Sequence, residues 1–164
     1  MRLSSSPGSC SGGQAGLPPV VEELLLDVVT DGFVLYCCGR RADPAALVAS
    51  YEWEHCVDLL TIRDFDRVTA ARVPVPAPDR GQGVVFEPET VVWAYEGPPQ
   101  CALPALLNLV HPQHPDAPTV EFSAPPRLRI PRAEQRPLTI RPPSPGRAGI
   151  RAARLAAAIQ PHLC

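Results

Sequence analysis

A series of short β-prone runs joined by turns constrains the fold of this chain more than any other feature. The runs cover residues 33–39, 46–53, 56–63 and 67–75. They are rich in β-branched and aromatic residues, and apolar side chains recur with a period of two, which is typical of strands. The joints are too short for the crossover that parallel strands require. The sequence therefore predicts an antiparallel meander.

The run at 46–53 has a rival interpretation. Asp43 followed by Pro44 would suit the N-cap and the first position of a helix. We favour a strand, because Tyr51 and Trp53 continue the period of two and a short polar step leads directly to the next run.

Two apolar stripes with helical spacing flank the meander. Residues 20–30 suit a helix with acidic side chains outward, although this Val-rich run leaves a strand open. Residues 101–110 carry leucines at helical spacing, with Pro104 either near the helix start or at a kink. Residues 90–95 predict one more, uninterrupted strand. The predicted fold class is α+β: an antiparallel sheet of about five strands, one or two covering helices and a C-terminal amphipathic helix.

Composition divides the chain into four parts. Residues 1–19 are rich in Ser, Gly and Pro and are expected to form a disordered tail, and residues 20–118 form the α+β domain. Residues 119–143 are Pro-rich and extended, with two β-like pieces, at 128–130 and 138–140, that prolines restrict to a sheet edge. Residues 144–160 form a basic amphipathic helix that Ser144 and Pro145 would begin.

Charge is distributed unevenly along the chain. Residues 1–121 carry a net charge of −9 and residues 122–164 a net charge of +7, which combine to −2. Every basic residue is Arg, and Arg, Pro and Ala have GC-rich codons, so we attribute the absence of Lys to a high-GC bacterial genome. The basic tail would bind an anionic partner or lie on its own acidic domain.

Helical phasing separates the tail into two stripes. Arg147, Arg151 and Arg154 lie on one stripe, and with Arg141 they are the predicted binding residues for an anion or a partner. The second stripe is the predicted docking face, formed by Ala148, Ala152, Leu155 and Ile159. Because a helix of about 15 residues is only marginally stable in water, it needs a surface to pack on. Three surfaces remain open: its own domain, another protein or second copy, and nucleic acid.

The best metal candidate is the turn that follows the second helix. His111, His114 and Asp116 could bind a divalent ion with Cys101 as a fourth ligand, but the flanking prolines also suit an exposed polar turn, which we favour. The sequence therefore predicts no metal site, and it predicts no cofactor. An enzyme site near this turn or in the loop at 76–89 remains an alternative.

Other reactive residues have ordinary structural explanations. Cys37 and Cys38 should point to opposite faces of a strand, and His55 beside Cys56 lacks an orienting third group. We expect Cys37, Cys38, Cys56 and Cys101 to act as small apolar side chains. We expect Asp58, Asp64 and Asp66 to lie on a solvated hairpin rim. Strand aromatics such as Trp53 and Trp93 could stack nucleic-acid bases but are more often core.

The function predicted first is that of a small cytoplasmic interaction module without a catalytic site. It would dock to a protein partner or to itself through the basic C-terminal helix. The alternative is a nucleic-acid-associated regulator that binds phosphates through the same arginines. The sequence contains neither an apolar run long enough to cross a membrane nor the apolar core of a secretion signal, so membrane partners are not expected.

Overall fold

The structure is a computed structural model that describes residues 17–40, 43–76, 86–135, 138–141 and 144–159. The predicted N-terminal tail up to residue 16, most of the loop at 76–89, and Gln160 lie outside the described residues. The helices are α1 (Pro19–Thr30), α2 (Pro99–Leu107), α3 (Pro145–Ala148) and α4 (Ile150–Ala157), with a 3-10 helix at Pro126–Leu128. The strands are β1 (Val34–Arg40), β2 (Asp43–Glu52), β3 (Cys56–Asp64), β4 (Arg67–Pro74), β5 (Thr90–Val91), β6 (Trp93–Gly97), β7 (Phe122–Ser123) and β8 (Leu138–Arg141).

The described part of the chain contains a six-stranded antiparallel sheet in the order β6-β4-β3-β2-β1-β8. Strands β1 to β4 and β6 form the predicted α+β meander, and a C-terminal helix is present, so the predicted fold class is confirmed. Strand β8 contains the β-like piece at 138–140 and is an edge strand next to β1, the location that the neighbouring prolines predict. The prediction for the piece at 128–130 was wrong, because this piece begins at the end of the 3-10 helix and forms no strand. The short strands β5 and β7 pair with each other in a second sheet.

Both faces of the six-stranded sheet are covered. On one face, α1 and α2 pack on the sheet through apolar side chains that include Val28, Leu103 and Leu106. On the other face, segments around the second sheet and the 3-10 helix contribute Phe86 and Leu128. The central strand β3 is consequently buried on both sides from Cys56 to Ile62.

Several element boundaries differ from the sequence-based expectations. The uninterrupted strand at 90–95 is in fact divided at Val92, with its two parts in different sheets. The second helix begins at Pro99, so Pro104 lies inside it rather than near its start. The tail helix is divided at Gly149, and Ser144 occupies the N-cap position without a side-chain capping bond.

Gly32 sits where the C-terminal segment approaches the domain. Its φ angle is +109°, a conformation that residues with a Cβ rarely adopt. A Cβ at this position would collide with the main-chain carbonyl oxygen of Arg147. Both the turn after α1 and the close approach of the C-terminal segment therefore require glycine at position 32.

We predict that Gly32→Ala lowers the free energy of unfolding by about 2 kcal/mol or more, because the backbone strain adds to a clash that a main-chain atom cannot easily relieve. Gly149→Ala is the matched control, since no atom lies within 4 Å of an added methyl group there and the φ angle is −86°. The control should be neutral or slightly stabilising. Urea denaturation measures the free energy of unfolding of both variants, and equal values would contradict the prediction.

Candidate functional site: a buried arginine–aspartate network

A polar row crosses the helix-covered face of the sheet. Register pairs Tyr51 with Asp58, Asp58 with Arg72, and Arg72 with Trp93. Because directly opposed residues of antiparallel strands point to the same face, all four side chains lie on one side of the sheet. The row therefore places a carboxylate and a guanidinium on the buried face of the sheet, where the other side chains are mainly apolar.

Asp58 and Arg72 form a bidentate ion pair inside this row. Arg72 Nε donates to Asp58 Oδ1 at 2.6 Å, and Arg72 Nη2 donates to Asp58 Oδ2 at 2.9 Å. The side chains of Asp58 and Arg72 are 0% and 2% exposed. Trp53 Nε1 adds a third donor to Oδ2 at 2.8 Å, and Arg72 Nη1 donates to the carbonyl oxygen of Val110 at 2.7 Å. The expected solvated rim is thus wrong for Asp58, whereas Asp64 and Asp66 are exposed.

A second arginine reaches the same carboxylate from the C-terminal helix. Arg151, on α4, is fully buried and donates through Nη2 to Asp58 Oδ2 at 2.9 Å. Its Nη1 donates to Asp31 Oδ2 at 2.8 Å. The same guanidinium donates to the carbonyl oxygens of Leu106 at 2.8 Å and Leu107 at 3.0 Å, at the end of α2. One side chain therefore joins the tail to the sheet, to α2 and to the residue that caps α1.

Arg154 completes the network at its outer side. Its Nε and Nη2 donate to the two oxygens of Asp31 at 2.9 and 2.8 Å, and Nη2 also donates to the Leu107 carbonyl oxygen at 2.7 Å. The hydrogen bond with Asp31 raises the pKa of Arg154 above its usual value. Its side chain is 42% exposed, so Arg154 is the arginine of the network that meets solvent.

Aromatic rings surround the buried guanidinium of Arg151. Its central carbon lies 5.1 Å from the ring centroid of Phe33 and 5.8 Å from those of Tyr51 and Trp53. Cation–π attraction of this kind is strongest when the cation has lost its water. The Tyr51 hydroxyl also donates to the carbonyl oxygen of Ala148, which fixes the end of α3, just before α4, on the domain.

The charges of the network do not cancel completely. Three arginines (Arg72, Arg151 and Arg154) face two aspartates (Asp31 and Asp58), which leaves one positive charge in excess. Carbonyl oxygens at the C-terminal end of α2 offset part of this charge, since that end of a helix carries partial negative charge. Both oxygens of Asp58 and of Asp31 accept hydrogen bonds. Neither carboxylate is therefore arranged as an open acid or base for catalysis.

The residues of the two predicted stripes on the tail differ in how deeply they are buried. Arg151 and Leu155 are buried against the domain, whereas Arg147 and Ala152 are half-buried and Ala148 is exposed. Ile159, the last residue described, is also half-buried. The inward face of α4 thus takes one member from each predicted stripe. Arg141 ends β8, where it pairs with Leu35.

The histidines of the turn after α2 use one nitrogen each to shape the turn. His111 Nδ1 accepts from the Gln113 main-chain N–H at 3.1 Å, and His114 Nδ1 accepts from the Asp116 N–H at 3.0 Å. Asp116 Oδ2 lies 3.8 Å from His114 Nδ1. Within the described ranges, no group of three or more His, Cys, Asp or Glu side chains is arranged to bind a metal. Cys101 lies at the exposed start of α2.

The cysteines divide into two environments. Cys37, Cys38 and Cys56 are buried, as expected for small apolar side chains, but Cys101 is exposed, so that expectation was wrong for it. Burial raises the pKa of Cys38 to about 11 and that of Cys56 to about 12. Both thiols are consequently protonated near neutral pH and are poor nucleophiles.

Four arginines on the described surface are also paired with acids. Arg63 lies 3.6 Å from Glu134, Arg67 lies 3.7 Å from Glu96, and Arg129 lies 3.5 Å from Glu87. Arg127 pairs with Asp64. Such pairs compete with phosphate groups for the guanidinium donors.

Two surface cavities adjoin the network. A groove of about 470 Å³ lies between α1, α2 and α4, with Leu24, Pro104, Leu107 and Ile150 as its apolar lining. A smaller cavity of about 190 Å³ lies between the end of α2, the histidine turn and α4. Arg154 and Asn108 line both cavities.

Comparison with protein-family models, curated proteins and solved structures finds no match to this chain. Among the residues that the structure describes, no helix has the length and apolar character needed to cross a membrane.

We predict that Arg151→Met lowers the free energy of unfolding by about 3 kcal/mol or more, because it removes the buried cation between Asp58 and Asp31 together with its hydrogen bonds to both carboxylates. Arg127→Ala is the control, since it breaks a partly exposed pair with Asp64 and should cost about 1 kcal/mol or less. Urea denaturation gives both values. A cost for Arg151→Met no larger than that of the control would show that the network does not secure the tail.

We also predict that Cys101 reacts with a thiol reagent in the native protein at pH 8, whereas Cys38 and Cys56 do not. Their raised pKa values and burial leave little accessible thiolate. Mass spectrometry after timed alkylation identifies the labelled peptides, and labelling in urea confirms that every thiol can react. Native labelling of Cys56 at the rate of Cys101 would contradict the burial seen here.

Proposed function

We propose that this chain is a cytoplasmic protein-interaction module whose C-terminal helix docks on its own domain and there forms one wall of a partner-binding groove. The groove between α1, α2 and α4 carries the proposal. It is mainly apolar, and Ile150 on its α4 side is 40% exposed. Apolar clefts of this kind accept side chains of a partner helix or peptide.

Charge favours one class of partner. Glu22, Glu23 and Asp27 are exposed on α1, and Asp27 also lines the groove. A partner segment with apolar anchors and nearby Lys or Arg would therefore complement the groove and its acidic side.

The other candidate functions have weaker support. Of the tail arginines predicted to bind phosphate, Arg151 donates only to groups of the protein itself, and Arg154 uses Nε and Nη2 for Asp31, which leaves the tail with fewer donors for nucleic acid. An enzyme site at the histidine turn would need an activated acid, base or metal, and each Nδ1 there is engaged by a backbone N–H. Both remain outcomes of the experiment below.

We expect displayed peptides selected on the full chain to be rich in apolar residues together with Lys or Arg. Binding of a selected peptide, followed by fluorescence anisotropy, should weaken about tenfold or more in Ile150→Glu, because the substitution removes an apolar wall and adds a charge. Val120→Glu is the control, since Val120 is 79% exposed and does not line the groove. Asp27→Lys should weaken binding of the same peptide and strengthen binding of peptide variants in which Lys or Arg is replaced by Asp or Glu.

Thermal unfolding of each variant verifies that the domain remains folded. Three results would overturn the proposal: peptides that bind Ile150→Glu as well as the parent chain, a dimer that Ile150→Glu dissociates, or salt-sensitive retention on DNA that the peptide does not block.

A further inference from the structure

The smaller cavity beside Arg154 has the character of a binding site for an anion. Its volume of about 190 Å³ equals the space of about six water molecules. Side chains of both polar and apolar type line it, among them Asn108, His111, His114, Arg154, Leu155 and Ala158. A ligand of a few non-hydrogen atoms would fit this space.

The two histidines are prepared as hydrogen-bond donors. Because each Nδ1 accepts a main-chain N–H, the neutral imidazole carries its proton on Nε2. His111 also packs edge-on against Trp53, with ring centroids 4.8 Å apart, which fixes the plane of its ring. Burial and the neighbouring Arg72 lower the pKa of His111, so the neutral form is favoured near pH 7.

Arg154 supplies the charge. It uses Nε and Nη2 for Asp31 and Leu107, and its Nη1 has no hydrogen bond within the described part of the chain. The network behind it has one more arginine than aspartate. A single negative charge in the cavity would therefore balance the network at its solvent-exposed arginine.

We propose that this cavity binds a carboxylate group. A carboxylate accepts hydrogen bonds from guanidinium and imidazole N–H groups, and its single charge equals the excess of the network. Leu155 and Ala158 would contact the carbon atoms attached to it. The site goes beyond the groove proposed above and does not depend on it, since a free carboxylate in solution would bind without a protein partner.

The test uses sodium acetate as the probe on the full chain at constant ionic strength and pH 7, with NMR signals of the four histidines as the readout. Signals of His111 and His114 should shift together and saturate in the millimolar range. His114→Ala should weaken the affinity about tenfold or more. His55→Ala is the matched control, since the His55 side chain is 74% exposed beside Glu54 and lies outside the cavity, and it should leave the affinity unchanged.

Arg154→Gln provides a second variant, with thermal unfolding to verify that the tail remains docked, and it should abolish saturable binding. Three results would overturn the proposal. The first is an equal shift of the His55 and His114 signals, and the second is a titration that does not saturate at about 100 mM acetate, a concentration that fills even a weak site. The third is saturation by inorganic phosphate but not by acetate.

Discussion

The buried carboxylate of Asp58 is the interaction on which the rest of this structure depends. It lies on the central strand of the sheet, beneath two helices, where an unpaired charge would cost several kcal/mol. Arg72 on the next strand supplies one cation and Trp53 one N–H donor. Arg151 from the C-terminal helix completes the set. The domain therefore relies on an arginine of the C-terminal helix to neutralise its buried carboxylate.

This arrangement explains the charge asymmetry of the chain. The acidic body and the basic C-terminal part meet inside the molecule, where Asp31 and Asp58 receive Arg151 and Arg154. On the surface, Arg127 and Arg129 pair with acids from the body. In the described part of the chain, much of the basic charge of residues 122–164 is thus used to hold the C-terminal segment against the domain. A basic tail is not by itself an indication of an external anion.

Docking of α4 also creates the surfaces that a ligand would use. Ile150 and Arg154 form one wall of the apolar groove, and Arg154, Leu155 and Ala158 form one wall of the smaller cavity. Arg154 connects the two proposed sites, because its guanidinium faces Asp31 and also lines both cavities. A ligand at either site would act on the same ion pair that secures the tail. The proposed functions and the stability of the fold are therefore physically coupled.

Sequence alone determined most of the strands and helices and their order, because strand alternation, helical spacing and turn residues are local signals. It predicted the meander and the amphipathic tail helix, it favoured a helix at 20–30, and it placed the β-like piece at 138–140 on an edge because prolines flank it. Tertiary structure decided which face of each element is buried. The turn residues near Asp58 predicted a solvated hairpin rim, but α1 and α2 cover the face of the sheet on which this side chain lies. Cation partners across more than 90 residues, such as Arg151 and Asp58, leave no local pattern, so only the folded chain brings them together.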